Sequence, residues 1–184
     1  MRFADDAVCV FDNRHDCERV RQVMAKRMAK YGLTLHPTKT RVVDFGHERQ
    51  RDKHDGGSFD FLGFTHIWKR SRRGMWIVTR RTAKKRLARS LRRVYQYCRR
   101  HRHDPLVVQH RYLCRLLRGH YAYYGVVGNS QGIRTFAYQV NRIWHKWLKR
   151  RNGLRRLTWE KFNRLLARLA LPQPRIVQTF GWRS

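Results

Sequence analysis

Acidic side chains all but disappear after residue 66: residues 67–184 hold only Asp104 and Glu160, against 31 Lys and Arg. A surface neutralised by its own charges is therefore excluded over that stretch. Cysteine is sparse, and Cys9, Cys17, Cys98 and Cys114 stand far apart with no C-x-x-C pair. That argues against a disulfide framework or a zinc site and for reduced thiols in a cytoplasmic chain. The ten His are scattered, with no spacing that fits a zinc finger or a zinc nuclease. No apolar run approaches the roughly 20 residues needed to span a bilayer, so no membrane partner is expected. The first residues are acidic rather than basic, unlike a signal peptide. No internal repeat is visible.

What is present divides the chain in two. Hydrophobic content of 41% with six Trp argues against global disorder, and 184 residues suffice for one or two small domains. Residues 1–66 carry 12 Lys+Arg and 10 Asp+Glu, a net +2, so nearly all of the total +31 lies in residues 67–184. A charge of this size and placement implies a polyanionic partner for the second part.

The first part opens on Phe3-Ala-Asp-Asp-Ala-Val-Cys-Val-Phe11. Both faces of Ala7–Phe11 are apolar, which predicts a buried strand entered through a tight turn carrying Asp5 and Asp6. Two carboxylates against a buried strand need cationic compensation, and a divalent metal such as Mg²⁺ suits hard oxygen ligands. Asn13 then caps a predicted helix whose stripe is Cys17, Val20, Met24, Met28 and Tyr31, ended by Gly32. A second strand is expected over Arg41–Phe45, a charged surface loop from His47 to Gly57, and a further strand over Phe59–Phe64. Met75–Thr79, after the Ser71–Gly74 turn, completes a hairpin.

From Arg81 the apolar period changes to 3.6. Leu87, Leu91, Val94, Tyr95 and Cys98 mark one helix; Leu106, His110, Leu113, Leu117, Tyr121 and Tyr124 mark a second, opened by Pro105 and ended at Gly125. A third carries Ile133, Phe136, Val140, Trp144, Trp147 and Leu148. A fourth, capped by Thr158, carries Phe162, Leu165, Leu166 and Leu169, and Ile176–Phe180 forms a short extended tail. The fold class is α+β: antiparallel strands and a helix, then a basic helical bundle.

The order of these features resembles a known family. An acidic Phe-Ala-Asp-Asp turn, an amphipathic helix, Gly32-Leu-Thr-Leu-His-Pro-Thr-Lys-Thr-Arg41 and Phe61-Leu-Gly-Phe64 look like the later palm motifs of a reverse transcriptase. Arg118-Gly-His-Tyr-Ala-Tyr-Tyr-Gly125 and Gly128-Asn129 resemble the thumb and maturase-specific region of group II intron-encoded reverse transcriptase/maturases. The resemblance implies a partial palm over 1–66, a hairpin connector over 67–80, a thumb and maturase bundle over 81–177 and a tail over 178–184.

It also implies roles. Asp5 and Asp6 match the catalytic pair that helps hold two Mg²⁺ ions, Lys39 a lysine near the triphosphate, and Phe61, Leu62, Gly63 and Phe64 the primer grip. A solvated turn, a surface lysine and plain core packing are the respective alternatives. The family's third carboxylate and its Pro-Gln-Gly-type segment are not found in this sequence, so polymerase activity is not expected from this chain alone. In the family the basic part binds group II intron RNA; the full-length enzyme also engages a DNA primer or target. Here Arg118, His120 and Tyr123 are the expected RNA contacts, with Tyr121 and Tyr124 more simply core. Asn129 is either an RNA contact or a turn-fixing residue. Lys84, Lys85, Arg86, Arg92, Arg93, Lys149, Arg150 and Arg151 are too unbalanced, with two acids in the whole stretch, to be only a solvated face. The expected function is intron RNA binding in support of splicing. A polymerase completed by a separate upstream chain, or an inert remnant of a truncated mobile element, are the alternatives.

Overall fold

Helical periodicity is the clearest signal in the chain, and the elements that carry it form where it predicts. The computed structural model describes residues 2–3, 6–45, 57–151 and 157–178. Among them are five helices and a three-stranded antiparallel sheet, an α+β fold. The chain divides into two units, Met1–Leu62 and Gly63–Ser184.

In the first unit β1 (Arg2–Phe3) pairs antiparallel with β2 (Asp6–Ala7), with Phe3 opposite Asp6. The predicted buried strand over Ala7–Phe11 does not form: β2 stops at Ala7 and Val10 is 87% exposed. Alternation of apolar residues reports two faces that could be covered, whereas burial needs neighbours, and among the described residues β2 pairs only with β1. Helix α1 (Arg14–Ala29) begins as expected, with the Asn13 side chain accepting from the Asp16 backbone N–H at 2.8 Å. An Arg14–Glu18 pair at 2.9 Å lies along its exposed side. Gly32, at φ +68°, follows the last turn. Yet α1 buries no residue, and Tyr31 is exposed. Arg41–Phe45 is not a strand; Phe45 meets the Phe59 ring edge-on at 4.9 Å. Of the charged loop predicted from His47 to Gly57, all but Gly57 lies outside the described residues.

The strand predicted over Phe59–Phe64 is broken. β3 (Phe59–Phe61) ends at a two-residue turn with Leu62 at φ +48° and Gly63 at φ +79°. Positive φ at both central positions is what tight hairpin turns of the I′ kind need, and Gly63 satisfies it without steric cost.

In the second unit β4 (Phe64–Arg70) and β5 (Trp76–Thr82) form the predicted hairpin, with Phe64 opposite Thr82 and Arg70 opposite Trp76. Its loop is closed by Ser71, whose carbonyl accepts from the Gly74 N–H and whose Oγ accepts from the Met75 N–H. Four helices follow: α2 (Lys84–Arg100), α3 (Leu106–Tyr124), α4 (Ser130–Leu148) and α5 (Trp159–Arg168). Thr158 caps α5 by accepting from the Lys161 N–H. Every apolar position predicted for α4 is buried, and Val94 and Cys98, Leu113 and Leu117, and Phe162 meet it from α2, α3 and α5. Burial pushes the Cys98 thiol up to about 12, so it is an inert core residue, and all four cysteines are free thiols.

Two buried polar side chains tie this unit together. Gln109 donates to the Asp104 and Arg102 carbonyls and accepts from the Trp144 indole N–H at 3.0 Å. Asn129, fully buried, accepts from the Thr82 N–H at 2.9 Å and donates to Thr82 Oγ1 and the Tyr124 carbonyl, both at 2.8 Å. Gly132 makes room for it, since a Cβ there would lie 2.3 Å from Asn129 Oδ1. Asn129→Ala orphans the buried Thr82 N–H and takes the amide donor from Thr82 Oγ1, while the Tyr124 carbonyl keeps the Val126 N–H. A loss of about 3 kcal/mol in urea unfolding is expected, where a surface turn residue would cost under about 0.5 kcal/mol.

The tail closes on the far end of α3. Val177 and Gln178 both donate backbone N–H to the Gly125 carbonyl, Gln178 Nε2 donates to the Ala122 carbonyl, and Tyr121 OH to the Pro172 carbonyl. Val126 pairs with Gln178 as an isolated parallel bridge. The extended tail predicted over Ile176–Phe180 is thus seen as far as Gln178; Thr179 and Phe180 lie outside the described residues.

Candidate nucleic-acid interface

Helix α2 presents the basic surface most directly. Val94 and Cys98 face the core, while Lys84, Lys85, Arg86, Arg92, Arg93, Arg99 and Arg100 are all exposed. The placement of the first three is electrostatically adverse. A helix N-terminus carries partial positive charge, and each cation in the first turn opposes it by a few tenths of a kcal/mol to about 1 kcal/mol. No acid and no side-chain cap relieve this end, where Ala83 stands at the cap position. An anion brought to this end would offset both the dipole and the three side chains. The two acids of residues 67–184 are occupied elsewhere: Asp104 with His101 at 2.8 Å, and Glu160 with Arg164.

Lys149, Arg150 and Arg151 stand at the opposite kind of position. They follow the last turn of α4, where positive charge complements the carbonyl end of the helix. Arg150 covers the Trp147 ring at 5.0 Å, and Arg151 donates to the His103 carbonyl at 3.0 Å. These residues have structural work of their own, although Lys149 and Arg150 are exposed.

On α3 the predicted contacts separate. Arg118 is exposed, and Tyr123 is half exposed with its ring stacked on Phe64, centroids 5.8 Å apart. Tyr121 is buried, and desolvation pushes its phenol up to about 12. Tyr124 is half-buried, its ring edge-on to Phe64 at 5.3 Å. Two of the expected RNA contacts, His120 and Asn129, are buried. His120 is 8% exposed and lies flat against Phe136 at 3.6 Å, and burial drives its pKa down to about 4. It is a neutral ring near pH 7 and not a cation for phosphate. Its Nε2 has no hydrogen-bond partner among the described residues, which costs about 1–3 kcal/mol for a buried polar group. Asn129 has its hydrogen-bonding groups engaged inside the fold and no exposed surface, so of its two alternatives the structure favours the turn-fixing one.

One interior glycine has no packing reason. Gly119 lies within α3, and a Cβ there would meet nothing within 4 Å. It has no left-handed backbone to accommodate, so it costs the helix about 1 kcal/mol relative to Ala for no gain within the fold.

A column on α4 joins these residues without having been expected from the sequence. Arg134, Tyr138 and Arg142 are all exposed, with the Arg142 guanidinium 5.7 Å from the Tyr138 ring centre. Their spacing of four residues puts them on one face. That signal is present in the sequence but is masked by the stronger apolar stripe of the same helix.

In the first unit, Asp6 is exposed and Asp5 lies outside the described residues. Lys39 is exposed in the turn following Pro37, where the Thr40 N–H donates to the His36 carbonyl. Phe61 is buried and Leu62 half-buried. Within the second unit Gly63 accepts from the Ala83 N–H, and Phe64 is buried under Tyr123, Tyr124 and the Arg80 guanidinium. Among the described residues no three His, Cys, Asp or Glu side chains gather as a metal site. Of the Asp5–Asp6 pair only Asp6 is described, and one carboxylate does not make up the ligand set of a two-metal centre. No helix among the described residues is long and apolar enough to cross a membrane.

Residues 1–66 match the family model described as Reverse transcriptase (RNA-dependent DNA polymerase). Comparison with curated proteins and with solved structures gives no match.

Proposed function

We propose that this chain is an RNA-binding protein of the group II intron maturase type, in which the helices of residues 81–177 hold structured intron RNA and support its splicing. The observation that carries this is the exposed, unneutralised basic surface of α2, with Lys84, Lys85 and Arg86 crowded onto a helix end that repels them. RNA phosphates are the abundant anion that such a surface fits. Half-exposed Tyr123 and the Arg134-Tyr138-Arg142 column add flat surfaces on which unpaired bases can stack. The family match over residues 1–66 supports descent from a polymerase palm. On the same proposal Asp5 and Asp6 are the positions where the family's Mg²⁺ would be held, and the DNA primer belongs to the complete polymerase.

The test is a splicing assay at physiological salt, with a group II intron transcript and the full chain. Accelerated splicing, together with at least about 10-fold preference over an unrelated structured RNA of equal length, is the expected result. Equal affinity for both RNAs with no effect on splicing would reduce the chain to a non-specific RNA binder. The same match over residues 1–66 favours a second reading, a polymerase completed by another chain. Primer extension that disappears in Asp6→Ala would establish it.

A further inference from the structure

A cleft of about 340 Å³ opens between α2 and α3. Phe136 of α4 lines it, together with Tyr112, Gly119 and His120 of α3. Arg93 of α2 and Arg115 of α3, both exposed, also belong to its wall. Its size falls in the range of about 300–1,000 Å³ usual for small-ligand sites.

Three features of this cleft are unexplained by folding alone. The first is His120: its ring is more than nine-tenths buried, and its Nε2 reaches no partner among the described residues. Buried polar atoms in native proteins are nearly always satisfied, so an unpaired one on a residue that lines a cavity calls for something to meet it. Because burial holds the imidazole neutral, what it offers is a hydrogen-bonding edge without charge. The second is Gly119, whose missing side chain leaves the wall open and lets a ligand approach the helix backbone closely. The third is the pair Arg93 and Arg115, which have no carboxylate partner among the described residues. Arg115 lies over the Tyr112 ring at 5.8 Å. Guanidinium forks match phosphate oxygens in pairs.

We propose that this cleft takes one unpaired nucleotide of a bound RNA, its base inside against the aromatic wall and hydrogen-bonded to His120 Nε2, its phosphate between Arg93 and Arg115. The inference deepens the RNA-binding function proposed above and rests on it. A duplex cannot use the site, because its base edges are already paired and its bases stacked. An unpaired base in a loop or bulge has a free edge and two free faces. The cleft therefore makes the basic surface selective for loops without requiring any particular sequence.

The experiment compares the full chain on two RNAs of equal length, a perfect duplex and the same duplex with one bulged 2-aminopurine nucleotide. Affinity is read by anisotropy and burial of the bulged base by its fluorescence. The chain should bind the bulged RNA about 10-fold or more tightly than the duplex, with the magnitude expected for stacking one base. Gly119→Leu fills the cleft in a helix that gains propensity. It should erase that preference while leaving duplex affinity and melting temperature at or above those of the unaltered chain. His120→Phe keeps a ring on Phe136 but removes Nε2, and should lower the preference several-fold without loss of melting temperature. Equal binding of bulge and duplex by the unaltered chain, or full bulge preference retained by a folded Gly119→Leu or His120→Phe variant, would overturn the nucleotide cleft and leave RNA binding standing. Absence of binding to both RNAs would overturn the RNA-binding function and the cleft with it.

Discussion

On the proposed function, affinity for structured RNA is expected to fall by about 10³–10⁵-fold between about 50 and 200 mM salt, the loss that accompanies 6–10 phosphate contacts. Each Lys or Arg that neutralises a phosphate releases a condensed cation, and the gain from that release shrinks as bulk salt rises. The candidates are not spread evenly. Lys84, Lys85, Arg86 and Arg92 are exposed on one helix that buries only Val94 and Cys98. Replacing these four by Gln should lower the slope of log affinity against log salt by about 0.7–0.9 for each phosphate no longer neutralised, a change of about 3. Fluorescence anisotropy across a salt series measures both quantities. The same change relieves cation–dipole repulsion at the N-terminus of α2, so the variant should melt no lower than the unaltered chain. A slope that does not move would place the phosphates away from α2, and salt-independent binding would remove the electrostatic basis of the proposed function.

The largest stability effect is expected at Trp144. Its side chain is fully buried, edge-on to Phe162 at 5.8 Å, and its indole N–H is taken by Gln109 Oε1. Trp144→Ala deletes the largest fully buried side chain of the unit and leaves Gln109 with an unpaired acceptor. The expected cost is about 3–5 kcal/mol. Domains are stable by only about 5–15 kcal/mol, so the variant should be partly unfolded at 37 °C and its urea midpoint should fall steeply. A loss below about 1 kcal/mol would show that α3, α4 and α5 do not close on this residue.

The helices were legible because their signals are local and redundant. Asn13 and Thr158 cap where they should, Gly125 stops α3, and the apolar stripes of α2, α3 and α4 recur every three or four residues. The basic character of residues 67–184 needs only counting. What failed depends on partners distant in the chain. Val10 alternates like a buried strand residue, yet its exposure is decided by what packs beside it. Phe61-Leu-Gly-Phe64 alternates too, and a positive φ at Leu62 is a conformation few would assign to leucine. Asn129 could be read as a turn residue, but nothing near it in sequence points to Thr82, 47 residues away. His120 was readable after all. It lies three residues after Leu117 and four before Tyr124, on the apolar side of α3, and that spacing predicts its burial.

The tail bonds at Gly125 carry a consequence for how the protein is made. Among the described residues, the carbonyls of Ala122 and Gly125 and the hydroxyl of Tyr121 find partners in residues 172–178. A ribosome delivers those residues after α3 and α4. Until then the end of α3 waits with two open acceptors and an unpaired hydroxyl. A protease that trims the finished protein just before Pro172 would return it to that waiting state.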